Sequence, residues 1–296
     1  MPPRWLSILI VAVWLLFSGR LVVRDLLPRL LPGEPPPYTI DLVEEVRTTR
    51  SYVDWMVLHN GRSVFRSQSR VLHSRRDRDE FELTAEFHPL KPGDRVALHG
   101  VLVSRMVSTY RVTGAGDLLG LSVEVAGTPQ LAELIPFVGG ADFRLSIDGT
   151  VKDGRLEPRV RFGLGDKGMR EFALPAVAVR RGGSVLLPLH PVNRLAGLSP
   201  GESWHMTVLD PLGDSLATLG GGGGEVRILR ARVRDEAVEF VAPSDQNWRR
   251  RKPVACLVID YEGDDFTAST WVERERGLVM CQEATLGGDR WLMYRE

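Results

Sequence analysis

The sharpest chemical cluster in the chain is Trp248-Arg249-Arg250-Arg251-Lys252. An indole beside consecutive cations can grip an anionic headgroup or a phosphate, with the ring stacked alongside. The same run also suits a solvated loop between strands, which is the reading preferred here. Glu262, Asp264 and Asp265 gather oxygens that suit a cation such as calcium, yet they equally make a soluble hairpin tip. Trp271 and Trp291 sit in strand-like runs, where large aromatics either fill a core or line a groove for an apolar ligand. The groove is the functional reading carried forward, with the core as its rival. The six histidines, His59, His73, His88, His99, His190 and His205, never pair at metal-ligand spacings, and no Cys-x-x-Cys occurs. There is no Gly-x-Ser-x-Gly elbow, Ser-x-x-Lys dyad or phosphate-binding Walker loop, and Gly114-Ala115-Gly116 reads as a turn that opens no helix. The expectation is a non-enzymatic protein with no cofactor, no metal and no catalytic residue.

The elements that position these residues are strands. A continuous antiparallel meander is expected over 226–233, 237–241, 254–261, 266–272, 278–284 and 291–294, punctuated by Glu262-Gly263-Asp264-Asp265, Arg274-Glu275-Arg276-Gly277 and Gly287-Gly288-Asp289. A four-residue loop at the first turn sets Tyr261 opposite Phe266. Alternation then puts Ala255, Leu257, Ile259 and Tyr261 on one face with Phe266, Ala268, Thr270 and Val272. Asp260, Thr267, Ser269 and Trp271 take the other face, so the sheet is wet on one side or curled around something. Further upstream, His59-Asn60-Gly61-Arg62 and Lys152-Asp153-Gly154 mark two hairpins. Strands are expected over 80–87, 96–107, 109–113 and 121–125, and Thr128 and Pro129 read as the N-cap and first residue of a short helix over 130–137. Prolines break up 172–204 into a crossover, with one or two helical turns over 192–198, and five glycines, Gly220 to Gly224, lead into the meander. Trp55-Met56-Val57-Leu58 and the run Trp204 to Leu209 open the two β-rich halves similarly, a weak sign of duplication.

The chain has 296 residues with 38 basic and 38 acidic side chains, so no global field draws it to nucleic acid. Cys256 and Cys281 fall on the first and third of three successive strands, roughly 9–10 Å apart, beyond the ~7 Å that a disulfide spans. They are expected to be unpaired core thiols. The N-terminus speaks to location. Trp5 to Phe17 carries no charge, and a helix continued to Val23 with Arg20 snorkelling reaches roughly 28 Å, enough to cross a hydrocarbon core. No small-x-small cleavage site follows, so an uncleaved signal-anchor is the first reading and a cleaved signal peptide the second. Arg20, Arg24 and Arg29 outnumber the charges before the span, which taken strictly places the domain in the cytoplasm. The layout of a short apolar run before a β-rich domain favours the extracytoplasmic, periplasmic side. Residues 1–31 are thus the transmembrane segment, 32–37 (Pro32-Gly33-Glu34-Pro35-Pro36-Pro37) a stiff linker, and 38–296 the domain, with possible halves at 38–165 and 200–296.

The anchor, that linker, the segment Leu195-x-x-Leu198-x-Pro200-Gly201-x-x-Trp204, and the ending Thr270-Trp271-Val272 through Gly277-Leu278-Val279 to Gln282-Glu283 resemble uncharacterised bacterial membrane-anchored ectodomains. The C-terminal part is also similar to periplasmic half-barrel families related to the lipoprotein carriers. That resemblance implies an antiparallel sheet curled around a helix-lidded groove, which in the carriers holds acyl chains. It transfers no binding residue. The expected fold is therefore mainly β, an antiparallel curved sheet or half-barrel with few short helices, plus one N-terminal transmembrane helix. The expected function is a membrane-anchored envelope protein that binds a lipid-like ligand, with a structural or assembly role beside another envelope protein as the alternative and an envelope hydrolase last.

Overall fold

The structure, a computed structural model, describes residues 14, 42–48, 52–74, 79–91, 96–98, 101–114, 116–129, 143–165, 168–179, 191–208, 227–243, 252–263, 266–286 and 288–296. Apart from Trp14, the 1–31 segment read as an anchor lies outside them, as do the 32–37 linker, the 130–137 helix and the 220–224 glycines. No helix among the described residues is long and apolar enough to cross a membrane.

The first described element is a helix, α1 (Leu42–Thr48). Glu44 and Glu45 in its first turn and Arg47 in its last complement the helix dipole. Leu42, Glu45 and Val46, spaced i, i+3 and i+4, share one face; Leu42 and Glu45 are buried and Val46 packs against the core. Then come β1 (Val53–His59), β2 (Arg62–His73), β3 (Glu80–Pro89), β4 (Val96–Leu98), β5 (Val101–Thr113), β6 (Leu118–Pro129), β7 (Phe143–Lys152), β8 (Arg155–Leu164), β9 (Met169–Ala173) and β10 (Val177–Ala178). After the crossover follow β11 (Ser203–Val208), β12 (Arg227–Val233), β13 (Val238–Phe240), β14 (Val254–Glu262), β15 (Phe266–Glu273), β16 (Val279–Leu286) and β17 (Asp289–Arg295).

These strands make one curved, unclosed, antiparallel sheet. By register its order is β11, β12, β14, β15, β16, β17, β1, β2, β3, β5, β6, β7, β8, β9. The short β13, β4 and β10 lie beside β12, β3 and β9 on the edges of β14, β5 and β8. Two runs of neighbouring hairpins therefore join along β1 and β17, where Met56 faces Tyr294 and Val57 faces Met293. The hairpin signals hold: Asn60 with Gly61, and Asp153 with Gly154, all have positive φ, the conformation a two-residue type I′ turn requires.

One face of the sheet carries the core, from Leu121, Ile147 and Val160 through Phe81, Phe87, Trp55 and Val57 to Ile259, Leu229 and Trp204. Leu257, Ile259 and Tyr261 share it with Ala268, Thr270 and Val272, as alternation predicts. The register itself differs: Tyr261 faces Ala268, because pairing runs on to Glu262 and Thr267. A slip of two residues leaves every side chain on its face, whereas a slip of one reverses them all.

Two expectations fail. Residues 192–198 are extended, not helical: the Leu195 N–H donates to Gly277 O, and the Asn193 carbonyl accepts from the Val279 N–H. Those backbone groups complete a sheet edge, so they are not available to a helical turn. Thr128 and Pro129, read as an N-cap and first helical residue, are instead the last two residues of β6. Opposite them β5 begins at Val101, so Thr128 pairs with Leu102, and Pro129 in the last position has no ladder N–H to lose.

Candidate functional site

On the core face, α1 and the extended crossover segment lie against the sheet and are held by polar contacts. Glu45 lies on the buried stripe of α1, where a lone carboxylate would be costly. Arg194 answers it at 3.6 Å. Trp55 Nε1 donates to Ser69 Oγ at 2.8 Å, and Ser69 Oγ donates to Asn193 Oδ1 at 2.5 Å. Gln282 Oε1 accepts from the Val192 N–H, and Arg295 Nη1 donates to the Asn193 carbonyl. Burial first, then the neighbouring Arg194 and Arg276, hold the Arg295 guanidinium below the usual arginine range, with Glu45 working the other way. This network fastens the crossover over the core. It contains no serine, cysteine or histidine poised against a base.

Of the residues singled out in the sequence, Trp271 and Trp291 do not converge. Trp271 faces Cys281, which faces Tyr294, whereas Trp291 faces Ala284, which faces Ala268. The two tryptophans are therefore on opposite faces of the sheet, and no single groove holds both. Trp291 is buried on the core face, stacked on His59 at 4.2 Å. Trp271 lies on the outer face near Phe240, at 6.3 Å between ring centroids. Trp248, Arg249, Arg250 and Arg251 lie outside the described residues, as do Asp264, Asp265, His99 and His190. Among the described residues no group of three His, Cys, Asp or Glu is arranged to hold a metal. Cys256 and Cys281 are both free and buried on the outer face. Burial, aided by Glu273, pushes the Cys256 thiol up to about 11, and burial pushes Cys281 up as well.

Two cavities among the described residues lie on the other side of β5 to β8. There the side chains alternate away from the core in a charged and hydroxylated checkerboard. Across four strands the rows read Arg111, Gly120, Thr150, Glu157 and Thr109, Ser122, Asp148, Arg159. A cavity of about 420 Å³ opens over these two rows. A second, of about 340 Å³, opens further along the strands beside Arg105, Glu124, Arg144 and Met169. Ion pairs tie much of this face together: Glu86 with Arg105 at 2.5 Å, Asp148 with Arg161 at 2.6 Å, and Arg159 with Glu171 at 3.5 Å. Burial tends to raise the Asp148 carboxyl. Hydrogen bonds from Ser122, Arg161 and Ser146 outweigh it and hold the group below the usual aspartate range.

Sequence reasoning missed this face because each strand was read for its apolar positions. The signal was present: once Asp153-Gly154 fixes the β7–β8 hairpin, Arg144, Ser146, Asp148, Thr150 and Lys152 must share one side, together with Glu157, Arg159 and Arg161. No protein-family model matches the chain, and no curated protein or solved structure matches it significantly.

Proposed function

We propose that this chain is a membrane-anchored protein of the cell envelope that acts by binding and catalyses no reaction, and that its partner is another envelope protein meeting the polar face of β5 to β8. The observation that carries this reading is the division of labour between the faces. Among the described residues the core face carries the buried apolar side chains, with α1 and the 191–198 segment against it, and the 420 and 340 Å³ cavities open on the opposite, charged face. An apolar ligand needs an apolar pocket, whereas the larger cavity, lined mainly by polar and charged side chains, suits a polar protein surface. The uncharged run from Trp5 to Phe17 supports the anchor.

The test is photo-crosslinking in intact cells from a benzophenone side chain at Arg144 or at Thr150, with Glu236 as the exposed control away from this face. A discrete protein adduct from the first two positions and none from the third is the expected result. Equal adducts from all three, or none, would remove the support.

A second reading keeps a lipid-like ligand on the core side, in the manner that the half-barrel resemblance implies. It is favoured by one observation: the crossover lies over the core as a separate segment, tied to the sheet by side-chain contacts of Asn193 and Arg194 and by backbone bonds of Val192, Asn193 and Leu195. Native mass spectrometry of the full chain in mild detergent separates the two. A retained lipid-sized mass that is lost on Trp291→Ala would favour the ligand reading over the protein partner.

A further inference from the structure

Arg111 is a cation that no carboxylate among the described residues pairs with. It lies on β5, partly buried, lining the 420 Å³ cavity, and among the described residues it makes no side-chain hydrogen bond or ion pair. Glu82 sits directly opposite it on β3, yet the guanidinium does not pair with that carboxylate. It turns the other way and lies over β6 at Gly120, where an added Cβ would come within 2.8 Å of Arg111 Nη2. The same Cβ would meet the Gly149 carbonyl at 2.8 Å, so only glycine fits where β6 presses on β7 and carries the guanidinium. The guanidinium takes the room that a side chain at Gly120 would fill. From there Arg111 lines one side of the cavity, and Thr150 the other, with Lys152 two residues further along β7.

The carboxylates that line the cavity are already engaged. Asp148 accepts hydrogen bonds from Ser122 at 2.8 Å, Ser146 at 2.9 Å and Arg161 at 2.6 Å. Glu157 lies 3.7 Å from Lys152, which is a loose contact in which the ammonium keeps donors to spare. Arg159 reaches outward to Glu171 on β9. The charge left over in the cavity is therefore positive and belongs to Arg111.

We infer that this cavity is an oxyanion site, taking a phosphate-type group beside the Arg111 guanidinium, with Arg111 as its principal contact and Thr150 and Lys152 closing the far side. Guanidinium is the group best matched to such a ligand, since its planar donors pair with two oxygens at once. A hydroxyl and an ammonium across the cavity supply the remaining donors. The inference stands on the geometry of β5 to β8 and does not require the partner reading above: it names a small-anion site on that face, whether or not a protein also meets it.

The ligand group can be free in solution or part of an anionic lipid headgroup, and the experiment distinguishes them. The full chain in non-ionic detergent at low salt is titrated calorimetrically with inorganic phosphate, and separately with mixed micelles of the same detergent containing phosphatidylglycerol. Saturable binding that weakens about tenfold or more in Arg111→Gln, the loss expected for one charge-assisted contact, is the predicted result. Arg111→Lys should recover part of it, and Thr150→Val should lose part. Arg170→Gln, an exposed arginine on β9 outside this cavity, should bind like the parent protein. Binding of phosphate itself assigns a free anion; binding only of phosphatidylglycerol micelles, with the same sensitivity to Arg111, assigns a headgroup. Absence of saturable binding by either probe overturns the inference. So does an equal loss in Arg170→Gln, which would mean unspecific attraction by surface charge.

Discussion

Glu45 and Arg194 form the most buried ion pair among the described residues, with side chains 1% and 17% exposed and 3.6 Å between Oε2 and Nε. The pair joins the first described helix to a segment about 150 residues later. Removing Glu45 leaves the Arg194 guanidinium buried without that carboxylate. Glu45→Ala should therefore destabilise the fold by about 3 kcal/mol, read as a shifted midpoint in urea. The double variant Glu45→Leu, Arg194→Met should regain most of that loss, because an apolar pair needs no counter-charge. A double variant as unstable as the single would mean that the pair is not what fastens α1.

Gly277 is where that segment meets the sheet. Its φ is +68°, and a Cβ there would come 2.5 Å from the Leu195 carbonyl. Gly277→Ala then combines a strained backbone with a clash against main chain that cannot rotate away. The expected result is a loss of about 2 kcal/mol or more, with amide exchange at Leu195 and Val279 accelerated before that of the central strands. Unchanged protection at those two amides would count against the described hydrogen bonds.

Trp271 and Trp291 occupy opposite faces, so their substitutions should act independently. Trp291→Ala empties a buried, stacked position and should cost about 3 kcal/mol, and Trp271→Ala should cost less because the ring is only partly buried. The double variant should equal the sum within a few tenths of a kcal/mol, as for residues sharing no partner. A clear departure from additivity would indicate that the two indoles share a contact.

Acid stability follows from two aspartates. Asp148 and Asp260 are each driven upward by burial, but hydrogen bonds from Arg161, Ser122 and Ser146 in one case and from Arg234 and Ser269 in the other leave both below the usual value. A carboxyl whose pKa is depressed in the folded state contributes stability above its unfolded pKa and loses it as pH falls through the folded one. The melting temperature should therefore be level near neutrality and fall below about pH 4. In the Asp148→Asn, Asp260→Asn variant it should start lower and fall less. An equally steep acid limb in that variant would assign the acid sensitivity to other groups.

The two thiols should be inert. Both are buried with raised pKa values, that of Cys256 to about 11, and the thiolate is the reactive form. Iodoacetamide at pH 8 should label neither in the folded chain and both in denaturant, with Cys256 the first to react on partial unfolding. Rapid native labelling at Cys281 would contradict its burial.

Much of the fold was legible because it depends on local rules. Asn60-Gly61 and Asp153-Gly154 specify two-residue turns, and the alternation from Leu257 to Val272 specifies a buried face, so hairpins and faces follow from neighbours in the chain. What only the tertiary structure decided are contacts between residues far apart in sequence. The pairing of β1 with β17, the straightening of 192–198 against Gly277 and Val279, and the meeting of Glu45 with Arg194 have no local signature. The cavity beside Arg111 lies between these cases. Its side chains are placed by alternation, but the guanidinium finds room over Gly120 and Thr150 comes to the far side only because the registers of three strands bring Arg111, Gly120 and Thr150 into one row. Register across strands is set by the summed fit of whole faces, which no single stretch of sequence contains.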